Sequence, residues 1–128
     1  MGTLSTHVLD TAHGTPAGGV TIRLVRIDPV PERELLRVIT NADGRTDEPL
    51  LTDDHLQAAT YELHFDVGAY FAERAGRNSA GNGAADGVPA GNAFLSVVTV
   101  RFTVTDAAAN YHVPLLVSPW SYTTYRGS

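Results

Sequence analysis

Residues 60–67 read TYELHFDV. Tyr61, Leu63, Phe65 and Val67 fall on one side of an extended chain, and Glu62, His64 and Asp66 on the other. Successive side chains of a strand point to opposite faces, so this period of two predicts a sheet with one face in a core and one polar. The alternation recurs in GGVTIRLVRID (18–28), where Val20, Ile22 and Leu24 alternate with Thr21 and Arg23. It recurs again in SVVTVRFTVTD (96–106), where Val98, Val100, Phe102 and Val104 alternate with Thr99, Arg101, Thr103 and Thr105. The punctuation agrees. TAHGTPAGG (11–19) reads as a turn, and Pro29 and Pro31 close a strand because proline donates nothing to a ladder. Asp43-Gly44 in NADGR (41–45) is a hairpin signal before the next strand. Strands are expected near residues 3–10, 19–27, 34–40, 45–51, 60–67, 94–105, 110–117 and 120–125. Short strands with frequent turns predict an antiparallel β-sandwich.

One segment breaks the pattern. GAYFAERAG (68–76) has helix-forming residues and one apolar side, and predicts a short helix. RNSAGNGAADGVPAGN (77–92) is rich in Gly, Ala and Asn, a composition that buries too little to order itself, so a mobile surface loop is expected there.

The chain of 128 residues fits a single domain, 1–128, long enough to bury a core. Its 43% hydrophobic and 18% charged residues are those of a globular protein. A net charge of -5 disfavours a nucleic-acid partner, since phosphate contacts need a basic surface. No apolar run approaches the ~18 residues of a membrane span, and MGTLSTHVLD lacks the pattern of a secretory signal. There is no cysteine, which removes disulfides, thiolate chemistry and Cys-based zinc sites, and is compatible with a reducing cytosol.

Histidine is the side chain that titrates near neutral pH in such a chain, and there are five. His13 lies in a Gly/Pro turn, His55 in an expected loop, and His64 on the polar face of its strand; each reads as an ordinary polar residue. His7 and His112 differ. His7 points away from the face shared by Leu4 and Val8. His112, in YHVPLL, shares a face with Pro114 and Leu116, opposite Val113, Leu115 and Val117. An apolar face that is not core suggests a subunit interface. Arg45 opens a strand after the hairpin turn, where a surface arginine is an equally ordinary reading. No His-x-Glu or His-x-x-x-His spacing, Gly-x-Ser-x-Gly elbow or phosphate loop is present.

The two ends of the chain carry more. LSTHVLDTAHGTPAGGVTIRL (4–24) and YHVPLLVSPWSYTTYRGS (111–128) resemble the terminal signatures of the transthyretin-like 5-hydroxyisourate hydrolases, and the terminal YRGS is the specific element. The resemblance implies a transthyretin-like sandwich of two four-stranded sheets with one short helix. It implies a cytoplasmic homotetramer, a dimer of dimers with sites at the dimer–dimer interface, and no cofactor or metal. Matched residue by residue, it implies a catalytic set of His7, Arg45, His112 and Ser128, with Arg45, Tyr125 and Ser128 binding substrate. The implied reaction is water attack on a ring carbonyl of 5-hydroxyisourate, giving 2-oxo-4-hydroxy-4-carboxy-5-ureidoimidazoline. A relative redirected to a related heterocycle and a small-molecule binding module are the competing expectations. Two departures stand out: the long 77–92 segment, and PWSYTTYRGS, where Trp120, Ser121 and Thr123 differ from the usual family tail.

Overall fold

A computed structural model describes residues 2–78 and 93–127. Two sheets face each other across one core. The first is built on β1 (Thr3–Asp10), flanked on one side by β8 (Tyr111–Val117) and then β9 (Tyr122–Thr124). On the other edge of β1 the place of a fourth strand is taken by fragments. These are β2 (Thr15–Pro16), a single bridge between His7 and Arg45, and β5 (Leu51–Thr52). The second sheet has the order β4 (Arg33–Ile39), β3 (Thr21–Asp28), β6 (Ala59–Asp66), β7 (Val97–Val104). The helix α1 (Val67–Asn78) follows β6 directly. It covers the expected helix and extends into the first residues of the expected 77–92 loop, of which 79–92 lie outside the described residues.

The alternation in the sequence becomes alternation in burial. Along β6, Ala59, Tyr61, Leu63 and Phe65 are buried, and along β1 so are Leu4, Thr6, Val8 and Asp10. Leu4, Val8, Ile22, Leu24, Leu63, Phe65 and Leu115 are wholly inaccessible and join the two sheets. Each such side chain stabilises the fold by about 1.5–3 kcal/mol relative to exposure.

Two expectations needed correction. Among the described residues the strand pairings are antiparallel save one: β1 and β8 run parallel, from Leu4 opposite Tyr111 to Asp10 opposite Val117. The Asp43-Gly44 turn forms as expected, with Gly44 at φ +76, where a side chain is strained. It does not return the chain along β4 as a hairpin. Arg45 instead crosses to the other sheet and bridges His7, and only Leu51–Thr52 of the expected 45–51 strand pairs, with β1. The crossover follows from local bonds. Asn41 Oδ1 accepts from the backbone N–H of Asp43 and of Arg45, turning the chain away from β4.

One buried polar group ties helix to sheet. The carboxylate of Asp10, at the end of β1, accepts from Tyr70 Oη at 2.7 Å and from His13 Nδ1 at 2.6 Å, with Arg74 Nε 3.7 Å away. Burial, and then the neighbouring Asp10 charge, push the Tyr70 phenol up to about 12, so it remains a donor at all ordinary pH.

Candidate active site

Strand geometry decides which side chains meet. With the core taking Leu4, Thr6 and Val8, the outward face of β1 presents Ser5, His7 and Leu9. Parallel pairing sets Ser5 opposite His112 and His7 opposite Pro114, so β8 adds His112, Pro114 and Leu116 to that face. The Arg45–His7 bridge brings the arginine to the other flank of His7. Three residues separated by 38 and 67 positions of sequence thus share one side of one sheet. His7, Arg45 and His112 are the sequence-predicted residues that the fold brings together.

Each histidine is held at one nitrogen. His7 Nε2 lies 2.9 Å from the Asp43 carbonyl oxygen, which only accepts, so the neutral ring carries its proton on Nε2 and its lone pair on Nδ1. His112 Nδ1 lies 2.8 Å from Ser5 Oγ. Each is also backed by a glycine. A Cβ on Gly44 would sit 2.3 Å from the Val8 carbonyl oxygen and 3.3 Å from His7 Cδ2. A Cβ on Gly127 would sit 2.7 Å from His112 Cδ2, because the Gly127 N–H donates to the His112 carbonyl at 2.7 Å and lays the backbone against the ring.

The electrostatics favour neutral imidazole. Burial, then the positive charge of Arg45, then His7, hold His112 below the ordinary histidine value of 6.5. Among the described residues the Arg45 side chain has no hydrogen-bond or ion-pair partner, and it lines a hollow of about 160 Å³ with Ser5, Thr6, Thr46, Asp47, Glu48 and Pro49. A planar cation beside a neutral imidazole can grip a polar heterocycle and stabilise negative charge developing on a carbonyl oxygen. Among the described residues no group of His, Cys, Asp and Glu is arranged to hold a metal ion.

The remaining predicted residues lie elsewhere. Tyr125 is exposed and lines a separate hollow of about 340 Å³ between β7, β8 and β9, together with Phe102, Tyr111 and Arg126. Neither hollow is lined by His7 or His112, but the smaller one holds Arg45 and Ser5, which pair in the sheet with His7 and His112 respectively. Ser128 lies outside the described residues. Arg126 holds the preceding stretch of tail: its guanidinium lies 4.2 Å from the centre of the Tyr111 ring and donates to the Asn110 carbonyl at 3.1 Å. Sequence reasoning missed Ser5, Gly44 and Gly127. Alternation puts Ser5 on the face of His7, but its partner His112 follows only from the parallel register of β1 and β8. The glycines were not findable, because what each approaches is set by tertiary contact.

Known proteins resemble this chain in sequence and in structure. The 5-hydroxyisourate hydrolase of Ralstonia nicotianae is 52% identical over 128 residues, covering 100% of both chains. Among solved structures, the Klebsiella pneumoniae 5-hydroxyisourate hydrolase matches with a TM-score of 0.75 and 34% identity over 100% of both chains. An (S)-allantoin synthase matches with a TM-score of 0.83 and 38% identity over 99% of this chain, which spans 44% of that protein. Residues 4–127 match the HIUase/transthyretin family, and the chain belongs to it.

Proposed function

We propose that this protein is a 5-hydroxyisourate hydrolase of purine catabolism, the whole chain, 1–128, acting as one cytoplasmic hydrolase domain. The observation that carries the reading is the convergence of His7, Arg45 and His112 on one outward sheet face. The identity to relatives bearing that name supports it. Ring opening needs a base for water and a donor for the oxyanion. His7 and His112 position and activate the water. Arg45 binds the heterocycle and polarises the carbonyl and Ser128 orients it, while Tyr125, which lines a separate hollow of the same chain, adds its contact from a second copy. A carrier has no use for a neutral imidazole held beside an uncommitted arginine, which favours the enzyme over the binding module.

The site is completed by a second copy of the chain in a homotetramer. Support comes from the half-buried apolar residues on the histidine face, Leu9 and Leu116, and from exposed Trp120, Tyr122 and Tyr125 nearby in sequence. The test generates 5-hydroxyisourate in place with urate oxidase and follows its ultraviolet decay with and without the protein. Acceleration that vanishes in His112→Ala is the expected result. No acceleration by a folded sample would overturn the reading. Elution as a monomer at assay concentration, with full activity, would overturn the shared site.

A further inference from the structure

Ser5 stands opposite His112 in the parallel pairing of β1 and β8, and its hydroxyl lies 2.8 Å from Nδ1. Two residues further along the same face of β1 is His7, tethered to a backbone carbonyl. The two tethers differ in kind. A carbonyl accepts only, and so admits one tautomer of His7. A hydroxyl both donates and accepts, and can hold Nδ1 whether the ring is neutral or charged. Gly127 closes the other side of the His112 ring by backbone contact. With Nδ1 turned to Ser5, Nε2 is the nitrogen directed away from β1.

Resting on the hydrolase reading above, we propose that Ser5 is a positioning residue that accepts the Nδ1–H of His112. The lone pair is thereby placed on Nε2, which takes the proton of the attacking water. The water proton moves to Nε2 as the water oxygen bonds to the ring carbonyl carbon. The carbonyl electron pair moves onto its oxygen, within the field of Arg45. On collapse the C–N bond of the ring breaks, and the proton on Nε2 passes to the leaving nitrogen. Throughout, the Nδ1–H to Ser5 bond is kept and strengthens while the ring is cationic, so no heavy atom must move. The opposite arrangement, with Ser5 donating, puts the proton on Nε2 and leaves that nitrogen unable to act as a base. Arg45 and His7 are the groups whose charges bear on the ring, and both disfavour its cation. Ser5 is the neutral acceptor that opposes them.

The test uses the full chain with ¹⁵N-labelled histidine, alongside Ser5→Ala and Ser5→Thr. Nitrogen shifts of the resting wild type read the His112 tautomer without substrate. The expected result is a proton on Nδ1. In Ser5→Ala, kcat falls about tenfold with KM changed less than about twofold, the effect of one lost positioning hydrogen bond. The acid limb of kcat/KM moves to lower pH, because the imidazolium has lost its acceptor, and Ser5→Thr restores both. A wild-type proton on Nε2 overturns the proposal, as does a Ser5→Ala enzyme with unchanged kcat and an unmoved limb. Should Ser5→Ala fail to fold, the wild-type tautomer decides alone. A wild type inactive on 5-hydroxyisourate overturns the hydrolase reading instead, and the tautomer still reports where Ser5 puts the proton.

Discussion

The two outward faces of the sandwich use the same residue types to opposite ends. On the β4-β3-β6-β7 sheet, polar side chains form a closed ladder. Arg37 and Arg23 both donate to Glu34, at 3.3 and 3.2 Å. Arg23 also donates to His64 Nδ1 at 3.1 Å, His64 Nε2 donates to Glu62 at 2.9 Å, and Arg101 donates to Glu62 at 2.8 Å. Both nitrogens of His64 are committed. On the β1–β8 face, among the described residues, His7 and His112 are each engaged at one nitrogen and the Arg45 side chain at none. A histidine bonded at both ring nitrogens has no lone pair to offer water. Residue type therefore does not mark the site; unspent valence does.

Substitution across the two faces tests that contrast most severely. Removing His112 or Arg45 as alanine variants is expected to lower kcat/KM by about 100-fold or more, the usual effect of losing a general base or an oxyanion donor. His64→Ala and Arg23→Ala are expected to stay within about twofold in kcat/KM, since both lie on the sheet opposite the histidine face. Steady-state rates on 5-hydroxyisourate for the four variants decide it. Equal losses on both faces would erase the distinction.

The next effect sits in the glycines. Gly44→Ala must place a Cβ against the Val8 carbonyl at a positive φ, so a folding loss of about 1–3 kcal/mol is expected in denaturant titration. Gly127→Ala meets a side chain rather than backbone, and the His112 ring can yield. It should therefore fold nearly as well as wild type while kcat drops about tenfold from a displaced imidazole. A stability loss with intact kcat would mean that the ring orientation is not what Gly127 protects.

These contrasts also explain what the sequence could disclose. Burial at alternate positions was legible because it depends on neighbours two residues apart, as in 60–67. The turn at Asp43-Gly44 was legible for the same reason. Its destination was not: Arg45 pairs with His7, 38 residues earlier, and no local pattern names a partner strand. Nor could alternation give the parallel direction of β1 and β8, on which the pairing of Ser5 with His112 depends. His7, Arg45 and His112 were reached by likeness to a family. Ser5 carries no such flag, because serine on an outward strand position is ordinary.

Smaller still are the pH effects, which separate the faces by sign. Because burial, Arg45 and His7 hold His112 below 6.5, the acid limb of kcat/KM is expected below that value, with activity retained into mildly acidic solution. A limb above 6.5 would mean that another group controls the rate. On the opposite face Glu34 and Glu62 both titrate below the ordinary carboxylate value, and Glu62 is the more buried. Burial there raises the Glu62 carboxyl, but the bonds from Arg101 and His64 outweigh it and leave its pKa below 4.5. A carboxylate favoured in the folded state stabilises the protein at pH values above its unfolded pKa, and that contribution is lost as pH falls through the lowered folded value. Glu62→Gln should therefore cost less than about 1 kcal/mol at neutral pH, since Arg101 is largely exposed and screened. The gap from wild type should close below about pH 4.5, and kcat should not change at any pH. Thermal melts and rates across pH 3–8 read both quantities on the same samples. A Glu62→Gln enzyme whose rate profile shifts would show that the ladder and the site communicate through the core, and the two faces could no longer be treated as independent.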